Sequence, residues 1–132
     1  MSNPKLREID VFQTEPEVFR VGEIEEVGLI VSQKDNDGNV IDHTLTITEA
    51  LVSVWDNLDP SNPIVTDADI LSAVDLTFQY RGYTRVLLPY NFNAETTFPV
   101  GRYTVQFTFE RDNLKKRIGE IFVNVVESVS PL

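Results

Sequence analysis

From Tyr103 the chain reads YTVQFTFE, where the large apolar residues Tyr103, Val105, Phe107 and Phe109 alternate with Thr104, Gln106 and Thr108. Successive side chains of an extended strand point to opposite faces, so this period of two predicts a strand with one face in a core and the other toward water. After RDNL the pattern resumes in KKRIGEIFVNVVE, with Ile121, Val123 and Val125 on one side and Phe122, Asn124 and Val126 on the other. Two such runs joined by a short polar link predict an antiparallel hairpin. Upstream, VGLIVSQ groups Val27, Leu29 and Val31, and ALVSVWD sets Leu51, Ser53 and Trp55 opposite Val52 and Val54. LTFQY and YTRVLLP flank Arg81 and Gly82 as a shorter extended pair, and EVFRVGE fits a leading edge strand.

One segment breaks the extended rhythm. In DADILSAVD, residues 67–75, Ile70, Leu71 and Val74 fall at helical spacing behind an Asp or Thr cap, which predicts one short helical turn. Prolines and turn dipeptides otherwise punctuate the chain at the spacing of an all-β protein rather than of alternating βα units. The expected architecture is a two-sheet antiparallel β-sandwich of about seven or eight strands. It occupies residues 17–132 as a single domain. Residues 1–16 lack sustained alternation and carry Pro4 and Pro16, so they are expected to form an N-terminal arm. The apolar residues of this arm, Leu6, Ile9, Val11 and Phe12, either lie on the domain itself or reach a neighbouring subunit.

Composition narrows the partners. Eleven Lys and Arg against 21 Asp and Glu give a net charge of −10, which repels nucleic-acid backbones and anionic lipid at long range. No cysteine is present, so neither disulfides nor thiolate metal sites can form. No run near residue 1 has the apolar length of a signal peptide, and none reaches the roughly 18 apolar residues of a membrane span. Synthesis in the cytoplasm is expected.

The acidic stretch KDNDGNVID, residues 34–42, raises the question of a cation. With Gly38 at the sixth position of a calcium loop, Asp35 and Asp37 fall at positions three and five, but Gln33 and Thr44 occupy the first and twelfth, where strong ligands are required. The alternative is a tight turn in which Gly38 supplies positive φ and the neighbouring Asp and Asn side chains bind backbone amides. Asp35, Asp37, Asn39 and Asp42 remain the candidate calcium donors; no metal or other cofactor is expected. No catalytic group is assigned either. His43, the single histidine, adjoins Asp42 in sequence, which places the two on opposite faces of a strand, and no GxSxG elbow marks a serine.

Two further features are open to a partner. Arg111, Lys115, Lys116 and Arg117 concentrate positive charge on the terminal hairpin. They are either solvated turn charges or a contact for an acidic patch on a partner or another copy. Trp55 is expected in the core; exposed beside DNLDPSNP, it could instead stack on a sugar.

The pieces VSQKDNDGNVID, LVSVWDNLDP, FPVGRYTVQFTFE and GEIFVNVVE, in this order, resemble an immunoglobulin-like module of the kind recurrent in bacteriophage virion proteins and bacterial surface proteins. The resemblance spans most of residues 22–127. It implies an immunoglobulin-like β-sandwich in which Tyr103 is similar to the tyrosine that anchors a corner before the penultimate strand, without the antibody disulfide. By the same resemblance the chain is expected to be a non-enzymatic virion component, made in the bacterial host cytoplasm, that decorates a capsid or serves a neck or tail. Its expected partners are other virion proteins or copies of itself. The alternative is a carbohydrate- or receptor-binding module with weak calcium binding.

Overall fold

Alternation of the kind seen at Tyr103 recurs along most of the chain, and a computed structural model resolves it into paired strands. It describes residues 5–9, 11, 13–22, 24–41, 46–93, 98–111 and 116–127. The strands are β1 (Lys5–Glu8), β2 (Glu17–Arg20), β3 (Ile24–Val31), β4 (Gln33–Lys34), β5 (Val40–Ile41), β6 (Ile47–Asp56), β7 (Val65–Asp69), β8 (Asp75–Tyr80), β9 (Tyr83–Asn93), β10 (Gly101–Arg111) and β11 (Lys116–Val126). One sheet has the order β1-β3-β9-β8 and the other β2-β11-β10-β6-β7, while β4 and β5 form a small separate ribbon. The fold is all-β and β-sandwich-like.

The inward residues of both large sheets meet in one core. Val27, Leu29, Val86, Leu88 and Phe92 come from the first sheet; Val52, Val54, Tyr103, Val105, Phe107, Phe109, Ile121 and Val123 come from the second. Each is essentially inaccessible, and burial of this kind stabilises by about 1.5–3 kcal/mol per large apolar side chain. At one end the rings of Phe92 and Phe98 stack 4.1 Å apart, with Tyr103 edge-on to both. The Tyr103 hydroxyl donates to the Pro99 carbonyl at 2.5 Å, tying β10 to the corner that leads into it.

The predicted terminal hairpin is present, with Phe107 opposite Gly119, and β6 pairs on the other side of β10. Gly119 faces inward and its missing side chain is needed: a Cβ there would stand 2.6 Å from Leu29 Cδ2. The β8–β9 link is a two-residue turn whose central residues, Arg81 and Gly82, have φ of 51° and 83°. A turn with positive φ at both centres matches the right-handed twist of its strands.

Three expectations are corrected. The sheets are not purely antiparallel, because β1 runs parallel to β3 and β2 runs parallel to β11. Both exceptions come from the first strands, which lie along sheet edges instead of folding back through hairpins. The helical turn expected over 67–75 shrinks to a 3-10 turn at Leu71–Ala73, because β7 extends to Asp69 and β8 begins at Asp75. Here tertiary pairing takes the Ile70 amide, which donates to the Ala50 carbonyl, while a local side-chain turn takes the Leu71 amide, which donates to Asp69 Oδ1. Trp55 lies on the outer face of β6, half-buried, because the core positions of that strand are Val52 and Val54.

The segment expected as an arm contributes β1 and more. Leu6 packs over Gly28, where a Cβ would meet Leu6 Cδ2 at 2.8 Å, and Ile9 packs against the core beside Gly119. Gln13 then reaches the second sheet, its amide donating to the Phe122 carbonyl and accepting from the Phe122 amide. One short stretch of chain thus braces the same side of both sheets.

Candidate interaction surfaces

The acidic stretch forms a turn held by its own first aspartate. Gly38 has φ of 84°, the Asp35 amide donates to the Asn39 carbonyl, and the Gly38 amide donates to the Asp35 carbonyl. Asp35 Oδ1 accepts from the amides of Asp37 and Asn39, both at 2.9 Å. That oxygen is therefore engaged by backbone donors rather than turned outward with the side chains of Asp37 and Asn39. Asp42 and His43 lie outside the described residues, and among the described residues no three His, Cys, Asp or Glu groups gather as metal ligands. The expected outcome is an unchanged melting temperature in millimolar calcium or in chelator; a ligand binding only the folded state would raise it in proportion to ln(1 + [L]/Kd).

The basic hairpin is bound into its own sheet. Lys116 Nζ lies 2.7 Å from Glu49 Oε1 on β6, and this hydrogen bond and charge hold the ammonium above its ordinary pKa. Arg111 and Arg117 are also engaged within the chain, and Lys115 falls outside the described residues, as does Phe12. The candidates therefore do not converge on one site: Ile9 packs against the core, Leu6 lies over Gly28 on the outer face of the first sheet, and Arg111, Lys116 and Arg117 flank the end of the hairpin.

A surface missed by the sequence reading surrounds Arg102. This residue and Asn124 are directly paired on β10 and β11, and Asn124 in turn pairs with Val18 of β2. One step along the strands lies the row Phe122, Thr104 and Trp55. Two recesses flank Arg102. One, of about 440 Å³, is lined by Gln13, Thr14, Pro16, Phe122 and Asn124; the other, of about 450 Å³, by Asn57, Leu58 and Gly101. Exposed apolar side chains stand among or beside these polar linings: Leu58 is 92% exposed and Phe122 39%, with Val100 at 53% next to Gly101 and Val18 at 52% opposite Asn124.

Both loops of this surface are braced. The Asn57 amide donates to the Arg102 carbonyl, Thr104 Oγ1 donates to Asn57 Oδ1 at 2.7 Å, and Asp56 Oδ1 accepts from the Leu58 amide. On the other side the Tyr103–Pro99 hydrogen bond fixes the corner that carries Val100. Arg102 and Phe122 stand at outward positions of the alternation, so their exposure was legible. Their meeting with Leu58 depends on pairing between distant strands.

The outer face of the other sheet carries a stack of cations and rings. The Arg85 guanidinium sits 5.7 Å from the Tyr80 ring and 5.3 Å from the Tyr83 ring, and Arg81 covers Tyr80 at 5.1 Å. Arg85 is only 3% exposed, donates through Nη1 to Ser32 Oγ, and leaves Nε without a partner. Arg81 forms a 3.6 Å ion pair with Glu8 of β1.

The chain matches no protein-family model and no curated protein. Fold and surfaces define the class: an all-β, β-sandwich-like domain with a braced, partly apolar face centred on one arginine. No helix among the described residues is long and apolar enough to cross a membrane.

Proposed function

We propose that this protein is a non-enzymatic structural and interaction module of immunoglobulin-like type. Its role is that of a bacteriophage virion component, a capsid decoration or a neck or tail accessory, that attaches to a larger assembly. Strand order supports the module. With β1, β3, β8 and β9 taken as strands A, B, D and E, and β6, β7, β10 and β11 as C, C′, F and G, the sheets run A-B-E-D and G-F-C-C′ with β2 as an added edge beside G, although β1 runs parallel to β3 where that sandwich is antiparallel. The Tyr103 hydroxyl bound to the carbonyl four residues upstream matches the tyrosine corner. Trp55 departs from the pattern, since the tryptophan of strand C is buried in antibody domains.

The observation that carries attachment is the face around Arg102. An arginine among exposed apolar side chains, with loops already ordered, has the composition and preorganisation of a protein-binding hot spot. The partner is a virion protein presenting a carboxylate between apolar groups. The test is co-sedimentation of the purified chain with phage particles assembled without it. Wild type is expected to bind, and Arg102→Glu to weaken binding about a hundredfold, about 2.7 kcal/mol, with an unchanged melting temperature. Absence of particle binding by the wild type would refute the reading. Binding to glycans instead, lost in Trp55→Ala, would favour the carbohydrate-binding alternative.

A further inference from the structure

Among the described residues the edge of β11 is only partly covered. Pairing with β2 runs from Val123 to Val126, and the Gln13 amide takes both backbone groups of Phe122. From Lys116 to Ile121 no described strand lies beside this edge. Backbone groups alternate sides along a strand, so the outward direction of the Phe122 N–H and C=O assigns the same direction to Ile118 and Glu120. Ile118, at 59% exposure, also stands clear on the outer face.

We infer that this edge pairs with the same edge of a second copy, antiparallel and centred on Ile118, joining two five-stranded sheets into one. The occupant follows from charge. On the outer face the sequence runs Lys116, Ile118, Glu120, which is its own complement when read backwards. Ile118 then faces Ile118 of the second copy, and each Lys116, exchanging its solvent-exposed pair with Glu49 of its own β6, faces a Glu120 at the spacing of directly opposed residues, about 5 Å between Cβ atoms. All three residues have outward backbone groups, so every facing pair exchanges both hydrogen bonds. The Gln13 clamp at Phe122 ends the available edge and fixes the length of the contact. The match also lets two molecules of charge −10 associate, since attraction is local where repulsion is long-range and screened. With so short a paired segment the dimer is weak and concentration-dependent.

The pairing is independent of particle attachment, and its test uses the free chain. Sedimentation velocity of the full chain from micromolar to millimolar concentration is expected to show a reversible monomer–dimer equilibrium. Ile118→Pro removes an outward N–H and no bond to β10; it is expected to leave the circular dichroism spectrum unchanged and raise the dimer dissociation constant at least about tenfold. Glu120→Lys, which opposes like charges twice, is expected to act similarly, and Lys116→Glu added to it to restore association. A chain that stays monomeric throughout, or a dimer indifferent to Ile118→Pro and to the charge exchange, would overturn the inference.

Discussion

Tyr103→Ala is expected to destabilise the fold by about 3–5 kcal/mol, the range for removing a large buried aromatic side chain. Such a loss is a large fraction of the 5–15 kcal/mol that holds a typical domain together. The ring is 1% exposed and closes the stack of Phe92 and Phe98, so its removal leaves a cavity that flat neighbouring rings cannot collapse to fill. Tyr103→Phe keeps the ring and removes only the bond to Pro99; because Pro99 is exposed and water can replace the hydroxyl, the cost is about 1 kcal/mol. Urea denaturation separates the two variants. Burial, and then the charge of Asp56, raise the Tyr103 phenol above its ordinary pKa. The folded state favours the protonated phenol, so this stability is fully present below the unfolded pKa and is lost as pH rises through the raised folded value. The alkaline fall in stability should be shallower in Tyr103→Phe, with a residue from Tyr90, whose pKa burial also raises.

Arg85→Ala is expected to cost about 2–4 kcal/mol, combining the loss of a buried aliphatic stem with that of its two ring contacts. Among the described residues no carboxylate bonds the guanidinium, and Nε is enclosed without an acceptor. Arg85→Met, which keeps length and apolar area, is therefore expected to lie within about 1 kcal/mol of wild type or above it. Equal destabilisation by Ala and Met in denaturant unfolding would mean that the cation between the tyrosines, rather than the filled space, holds β8 to β9.

The long strands were legible because their code is local. Tyr103, Val105, Phe107 and Phe109 alternate with polar residues, and these four are buried in the core. Where tertiary pairing competes with local preference, the code was insufficient. Ile70 and Leu71 have helical spacing, yet the Ala50 carbonyl and the Asp69 carboxylate take their amides. Trp55 had the composition of a core residue, but the phase of β6 is set by Val52 and Val54. The direction of β1 and β2 was hidden for a different reason: short segments at sheet edges have few side-chain contacts to declare which neighbour they will take. The Arg102 surface was half visible, its members individually outward and their assembly dependent on β2, β6, β10 and β11 meeting in register.

The parallel pairing of β2 with β11 has a mechanical consequence. Tension applied between the start of β2 and the end of β11 pulls two side-by-side strands in opposite directions along their length. Their hydrogen bonds are then sheared together rather than unzipped one after another, and the Gln13 amide adds a further anchor in the same line. A domain tied in this way resists stretching and transmits force as a stiff link.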